Sequence, residues 1–491
     1  MNFPNVMESP IDHNKEDITI EEVEDILEYN LNDVLATYEF YKKSADKIAL
    51  RKKLMNKYNI PCISWNNGKI GEQLILKLYC QKTGLDIWDV KERRTYRPRI
   101  ELSKCVPDIT FESKEFNDLL NYFKSLTISS TKGEANKQLI FKGIKYDYGS
   151  GGVHACIKPG IYESNDKFII KSCDVASLYP NLAIQYDFYI EHLGKEFLDV
   201  YKGDIVDVRM AEKTKGKNGD KAIVDGFKEA ANVPYGKSNE VFSFLYDPLY
   251  TMKTTIHGQL LMSKLCEMLS NIEDSQILMV NTDGLEIMIP VHKQDEYTSI
   301  CKKWEELTRL TLEFSDYKKL WVRDINNYGC IDFKGKIKNK GAFEVDKVIG
   351  SEPAYHKDNS FRIIPLAMQE YFTKGIPVEE TIKNHRDIYD FCGRQKFDRD
   401  SYGETHEIRD NNIFVERQQR NVRYYISNPG KTFIKQYKKG TSEFVHKNYQ
   451  VTIFNKFVEK PFNEYGINYS FYINECKKII DVVEDKQLML F

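Results

Sequence analysis

Two stretches of this 491-residue chain place a carboxylate where a short apolar strand breaks into a turn. The first is Lys171-Ser172-Cys173-Asp174-Val175-Ala176-Ser177-Leu178-Tyr179-Pro180-Asn181; the second, about a hundred residues on, is Val280-Asn281-Thr282-Asp283-Gly284-Leu285. Two such strand ends side by side in a sheet could hold a pair of divalent cations ~4 Å apart, the arrangement that clamps the attacking and leaving oxygens of a phosphoryl transfer. Around Asp174, the run Phe168-Ile169-Ile170 predicts a strand, and Ser177 to Pro180 turns the chain toward a helix whose first amides can cradle a phosphate. Around Asp283, the β-rich runs Ile277–Val280 and Leu285–Ile289 flank Asn281-Thr282-Asp283-Gly284, which predicts a hairpin with Asp283 at its tip and Gly284 supplying the permissive φ. Either motif alone would equally suit a turn aspartate bonded to its own backbone.

Between them, Asp207–Lys213 and Gly226–Gly236 predict two helices joined by a polar loop over 214–221. Arg209 and Lys213 are four residues apart and share a face, while Lys228, Asn232 and Tyr235 recur at four and three on the other helix. Three cations and an amide suit a triphosphate, with Tyr235 available to stack on a base. A solvated basic helix pair is the plainer account of the charges, but it does not explain Asn232 and Tyr235 on the face of Lys228.

With these residues in order, the chain resembles family B DNA polymerases, in the branch found in phages. Asp-x-x-Ser-Leu-Tyr-Pro at Asp174–Pro180 resembles motif A, Lys-x3-Asn-x2-Tyr-Gly at Lys228–Gly236 motif B, and Asn281–Gly284 motif C. Tyr148-Gly149-Ser150-Gly151-Gly152 is similar to the family's Tyr-x-Gly-Gly segment near the template, and Asn326-Asn327-Tyr328 stands where the family has Lys-x-Tyr near the primer terminus. The resemblance implies Asp174 and Asp283 as catalytic metal ligands, assisted by the Val175 carbonyl, for two Mg²⁺ ions that Mn²⁺ could replace. It implies Arg209, Lys213 and Lys228 on the incoming deoxynucleoside triphosphate, Ser177 and Leu178 offering backbone amides, Asn232 and Tyr235 lining the nascent base pair, and Tyr179 under the sugar as a gate against ribonucleotides. DNA contacts are implied for Tyr148, Gly151, Gly152, Thr282, Tyr328, Lys340, Arg423 and Tyr424. The chain departs from the pattern at Asn281, where the family usually has an aspartate, and at Asn326, where it has a lysine; neither change removes a metal ligand.

Toward the N-terminus, Ile20–Tyr38 predicts an amphipathic helix. Its Tyr29-x3-Asp33 resembles the third motif of the family's 3′–5′ exonuclease, whose other acidic motifs are missing before Asp17. The expectation is a remnant of an RNase H-like exonuclease domain, its front encoded elsewhere or lost, and no proofreading by this polypeptide alone. The short spacing from Asp174 to Lys228 leaves no room for the insertion of polymerases primed by a terminal protein, which points to an ordinary nucleic-acid 3′ end. Interleaved cations and aromatics over Glu416–Tyr425 and Gly430–Lys439 suit a surface that tracks phosphates, though a solvated face with core tyrosines has the same composition. The last residues, Gln487-Leu488-x-Leu490-Phe491, resemble the peptide by which bacterial replication proteins bind the sliding clamp; a tail folded back on its own chain is the competing account.

Composition bounds these readings. With 41% hydrophobic residues and a net charge of −2, the chain can bury several cores while concentrating cations in a cleft. Its ten cysteines show no Cys-x-x-Cys pairing, and neither a signal peptide nor a membrane-length apolar run is present, which points to a reducing cytoplasm and no membrane partner. The expected fold is α+β, a right-hand polymerase with the exonuclease remnant at 1–41, a connecting region at 42–145, palm at 146–190 and 241–345 around fingers at 191–240, thumb at 346–485, and the tail at 486–491. Two other readings stay open: a noncatalytic polymerase-like subunit that binds primer–template DNA, and a different palm enzyme such as a reverse transcriptase or primase, which would need other motifs around its carboxylates.

Overall fold

The computed structural model describes residues 3–12, 14–345, 360–410 and 412–484; the clamp-like tail Gln487, Leu488, Leu490 and Phe491 lies outside them. The protein is a mixed helix and sheet structure in two compact units: Ala45–Leu320 with Cys330–Ile337, and the described residues of Met1–Ser44, Trp321–Gly329 and Lys338–Phe491. The helices used below are α1 (Ile20–Lys43), α2 (Leu178–Gln185), α3 (Val208–Thr214), α4 (Lys221–Lys237), α5 (Pro248–Leu269) and α6 (Gln294–Thr308).

The unit built on Ala45–Leu320 is organised by an antiparallel sheet of β1 (Lys137–Phe141), β2 (Ile144–Gly149), β3 (Gly152–Cys156), β4 (Phe168–Val175), β5 (Gln276–Asn281), β6 (Gly284–Pro290) and β7 (Leu312–Asp324), in the order β1-β2-β3-β5-β6-β4-β7. The near-continuous apolar run Ile277–Val280 is fully buried, as a central strand covered on both faces requires. Covering it is α5, started by Pro248 in its first turn and by Asp247, whose carboxylate accepts from the Leu249 amide at 3.1 Å. Most of α5 is buried, polar residues included, and these make specific ties. Gln259 donates to the carbonyls of Gly149 and Gly152 at 2.5 and 3.0 Å, and Ser263 meets the Tyr148 hydroxyl at 2.8 Å. A helical hairpin of α3 and α4 forms where the sequence predicts one, entered through a π-helical turn at Tyr201–Asp207.

The second unit carries a six-stranded antiparallel sheet, with β8 (Cys392–Lys396), β11 (Asn421–Tyr437), β9 (Ser401–Arg409) and β10 (Asn412–Gln418) in that spatial order, and two short strands, Ser442–Phe444 and Val451–Ile453, also on β11. Its N-terminal segment lies along this sheet as a strap. The Val6 amide donates to the Asn455 carbonyl at 2.7 Å, and the Glu8 carboxylate accepts from the Arg420 and Asn421 amides, both at 2.7 Å. Beyond residue 19 the predicted helix forms as α1, opened by a capping box between Thr19 and Glu22. Among the described residues no helix is long and apolar enough to cross a membrane, and all ten cysteines are free thiols.

One buried group in α5 makes stability depend on pH. His257 donates from Nδ1 to the Cys105 carbonyl at 2.7 Å and packs edge-on against Tyr186 and Phe188. Burial pushes its pKa down from 6.5 to about 4. As pH falls below 6.5 the unfolded chain takes up a proton that the folded chain refuses, so stability falls through that window until the folded group titrates near 4. Chemical denaturation of wild type and His257→Gln between these pH values is expected to show a steeper loss in wild type, by up to ~3 kcal/mol.

Candidate functional site

Asp174 and Asp283 are brought side by side by strand register. Asp174, near the end of β4, pairs with Gly284, the first residue of β6, on one side and with Glu313 of β7 on the other. Asp283 is the residue just before Gly284, and its carbonyl accepts from the Val175 amide at 2.6 Å. The Asp174 carboxylate lies across the Cα of Gly284: a Cβ built there would sit 1.9 Å from Asp174 Oδ1.

The structure corrects the expected role of Gly284. Its φ is not positive; the left-handed residue of the turn is Thr282, with φ 60°, and the Asp283 amide bonds to the Asn281 carbonyl at 2.7 Å to close a three-residue turn. Gly284 is required for space, because any side chain would displace the Asp174 carboxylate. Thr282 is held in its unusual conformation from β3: its amide donates to the Val153 carbonyl at 2.9 Å, and its hydroxyl lies 3.3 Å from His154 Nε2. Gly152, at φ 139°, leaves the hollow that Thr282 fills, since a Cβ there would meet the Thr282 hydroxyl at 2.7 Å. Burial holds the His154 pKa below its ordinary value.

Ser177 is also left-handed, at φ 48° and ψ 58°, and turns the chain sharply into α2. Asn181 fixes this turn, its side chain donating to the Ala176 carbonyl at 2.5 Å. Leu178 and Val175 are buried, whereas Ser177 is exposed. Tyr179, in the first turn of α2, stacks on Tyr235 of α4 with ring centroids 3.9 Å apart and planes at 21°. The Tyr235 hydroxyl bonds to the Ser150 carbonyl at 3.3 Å and lies 3.1 Å from that of Thr255, while the Tyr179 hydroxyl reaches toward the Gly151 carbonyl at 3.5 Å. Burial, then the neighbouring Tyr235 and Asp283, raise the Tyr179 phenol well above its ordinary value, so it stays neutral. Residues 150–151, 174–179, 235 and 283 therefore meet in one place.

Of the predicted cations, Arg209 is nearest this cluster: it is buried, and its Nη1 lies 3.4 Å from the Ser177 hydroxyl. Its Nε is a buried donor with no hydrogen-bond partner among the described residues. A buried unmatched donor costs free energy unless an acceptor arrives. Lys213 is exposed and pairs with Glu313 at 3.6 Å, which sets it beside the strand position opposite Asp174. Lys228 and Asn232 are exposed on α4 in the turns before Tyr235. Among the described residues no group of three or more His, Cys, Asp or Glu side chains is placed to hold a metal. Two adjacent carboxylates are the donor set of a hard cation that completes its shell with substrate phosphates and water, the usual habit of Mg²⁺.

Several residues expected to contact nucleic acid have buried side chains. Tyr148 is in the core, anchored to Ser263, and of the Tyr148–Gly152 segment Ser150 and Gly151 are exposed. Tyr328 is likewise buried, whereas Lys340 is exposed. Arg423 is 2% exposed and serves as an internal strut, donating to the carbonyls of Phe454, Phe3, Pro4 and Asn455. Tyr424 is buried beside it with its hydroxyl 2.8 Å from His446 Nε2. These four side chains are committed to packing and have no free face for a phosphate. On α1, Tyr29 is hydrogen-bonded to Asp33, which raises the phenol's pKa. Sequence reasoning missed Glu313, Thr255 and Gln259, which hold the site from positions that carry no motif.

No protein-family model matches the chain, and no curated protein matches it. Among solved structures it is similar to the family B DNA polymerase from the hyperthermophilic archaeon Pyrobaculum calidifontis, at 15% sequence identity and a TM-score of 0.44, over 95% of this chain and 56% of that one.

The close approach of Asp174 to Gly284 is open to a double-mutant cycle. Gly284→Ala is expected to lower stability by ~1–3 kcal/mol through overpacking. In an Asp174→Ala background most of that penalty should vanish, because the obstructing carboxylate is gone. Equal penalties in both backgrounds, read from thermal unfolding, would contradict the contact.

Proposed function

We propose that the chain is a DNA-directed DNA polymerase that extends a primer 3′ end by nucleotidyl transfer from deoxynucleoside triphosphates. The observation that carries this reading is the convergence of five segments on one site, giving two carboxylates on adjacent strand ends, the Tyr179–Tyr235 stack, the 150–151 turn, and a buried arginine with an unmatched donor.

Two Mg²⁺ ions held by Asp174 and Asp283, with the Val175 carbonyl assisting, would supply the acidification of the primer hydroxyl and the neutralisation of the leaving pyrophosphate. The chain's own groups position and screen. Arg209 gives its unmatched Nε–H to a phosphate oxygen, and Lys213 exchanges Glu313 for the triphosphate as the nucleotide arrives. Amides at Ser177 and Leu178 face the phosphates at the start of α2. The Tyr179 ring, clamped by Tyr235, forms a rigid floor under the sugar and leaves no space for a 2′-hydroxyl, while Asn232 and Tyr235 border the base pair. Asn281, in the strand that ends at the Asp283 turn, adds no charge, so the site works with one carboxylate fewer than the pattern it resembles. The C-terminal Gln487-Leu488-x-Leu490-Phe491 is proposed to bind a sliding clamp, on its sequence alone.

Mg²⁺-dependent extension of a labelled DNA primer on a DNA template tests the reading. Asp174→Ala and Asp283→Ala should each reduce extension by at least ~10³-fold while leaving primer–template binding intact. Binding without extension by the wild type would favour a noncatalytic DNA-binding subunit instead. Tyr179→Ala is expected to raise ribonucleotide incorporation at least ~10-fold relative to deoxyribonucleotide; unchanged selectivity would remove Tyr179 from the sugar gate.

A further inference from the structure

Among the described residues five acids are buried: Asp247, Glu267, Glu286, Glu370 and Asp390. Four of them serve local structure. Asp247 caps α5 and pairs with Arg97 at 3.2 Å, Glu267 accepts from the Glu112 and Ser113 amides at 2.9 and 2.8 Å, Glu370 pairs with Lys374 at 2.7 Å, and Asp390 with Arg362 at 3.1 Å. Glu286, only 4% exposed, stands instead within β6, a central strand of the site's own sheet, where a carboxylate is costly to bury.

Register relates Glu286 to the two aspartates. Residues two apart on a strand share a face, so Glu286 lies on the face of Gly284. On that face Gly284 pairs with Asp174 and Asn281, and Asp174 with Glu313. Glu286 pairs with Ser172, one step of ~6.8 Å further into the sheet. Burial first, then Cys330, raises the Tyr317 phenol above its ordinary value, and the Glu286 and Asp174 carboxylates both add to the effect, so one hydroxyl lies near the two acids.

At Asn281 this face carries an amide where a carboxylate would add a charge. Glu313 does not make up the difference, because its side chain is 64% exposed and pairs with Lys213 at 3.6 Å, so solvent and the lysine both screen it. The charge of a buried carboxylate is screened far less and acts across several ångströms. Among the described residues no three acids are grouped closely enough to share a metal, so Glu286 acts through its field and not as a ligand.

We infer that Glu286 is a positioning residue of the cation site, supplying from one strand step behind Asp174 the negative charge that residue 281 lacks. It strengthens the hold of Asp174 and Asp283 on divalent cations without coordinating them. The inference rests on the proposed site, since it takes those aspartates as the ligands.

Mn²⁺ titrated into the full chain without DNA or nucleotide, with the free ion followed by electron paramagnetic resonance, reads the site directly; the binding component abolished by Asp174→Ala belongs to it. Glu286→Gln, which keeps the shape and removes the charge, is expected to weaken that component at least ~5-fold and to raise the Mg²⁺ concentration for half-maximal primer extension by a similar factor. Glu286→Asp, which keeps the charge, should bind Mn²⁺ within ~2-fold of wild type, and Asn281→Asp added to Glu286→Gln should restore binding. Wild-type Mn²⁺ binding by Glu286→Gln, equal losses in the Gln and Asp variants, or no restoration by Asn281→Asp would overturn the inference and leave the aspartate pair standing as the metal site. Absence of any component sensitive to Asp174→Ala would instead overturn the aspartate pair, and the role of Glu286 with it.

Discussion

Two carboxylates on neighbouring strands repel, and the rest of the site is organised around keeping them there. Like charges repel more strongly at a partly desolvated site than in bulk water, because the effective dielectric constant is lower. The protein fixes the geometry through backbone: the Asp174↔Gly284 pairing, the Val175 amide on the Asp283 carbonyl, and the missing side chain at residue 284. A one-residue slip of β4 against β6 would send Asp174 to the opposite face of the sheet. The register is secured by apolar side chains on both strands, so the buried sheet stabilises an arrangement that its own charged end opposes. Left-handed backbone at Ser177 and Thr282, costly for both residue types, occurs on both motifs at this end and is held by Asn181, Val153 and the hollow at Gly152.

The stacked tyrosines extend that rigidity to the helical hairpin. Tyr179 belongs to the turn after Asp174 and Tyr235 to α4, and their hydroxyls reach carbonyls of a third segment, Gly151 and Ser150. With both phenols tied at ring and hydroxyl, α4 is anchored near its C-terminal end, while Lys228 and Asn232 remain exposed in the two turns before Tyr235. Arg209 follows a π-helical turn, a feature that rotates the residues after it relative to a regular helix and so sets where the guanidinium points. Its unmatched Nε is tolerable in a site that an anion enters and is otherwise hard to rationalise in a buried position.

What could be read in the sequence was what short-range chemistry determines. The strand before Asp174, the turn into a helix, the hairpin at Asp283 and the α3–α4 pair all follow from local periodicity and turn residues. The role of Gly284 was not legible, because it depends on the side chain opposite it across the sheet rather than on its own turn. Arg423 and Tyr424 show the complementary case: interleaved cations and aromatics have the same composition whether they line a groove or fill a core, and here both are buried. In β11 the alternation expected of a half-exposed strand is missing, as Val422 through Ser427 are buried on both faces. Glu313, Thr255 and Gln259 stand in ordinary strand and helix contexts, and only tertiary pairing gives them a part in the site.

Arg423 shows how the second unit holds its own N-terminus. Its guanidinium is desolvated, which lowers its pKa, yet guanidinium groups remain charged, and here four carbonyls satisfy it. Two of those carbonyls, Phe3 and Pro4, belong to the strap, so releasing the strap would leave a buried cation half satisfied. Hydrogen bonds to charged groups contribute about 1.5–3 kcal/mol each, more than neutral ones, and the Glu8 carboxylate adds further charge-assisted bonds to the backbone of residues 420 and 421. The strap is thus retained by polar contacts, whereas α1, which follows it, leaves Leu27, Leu31 and Val34 exposed.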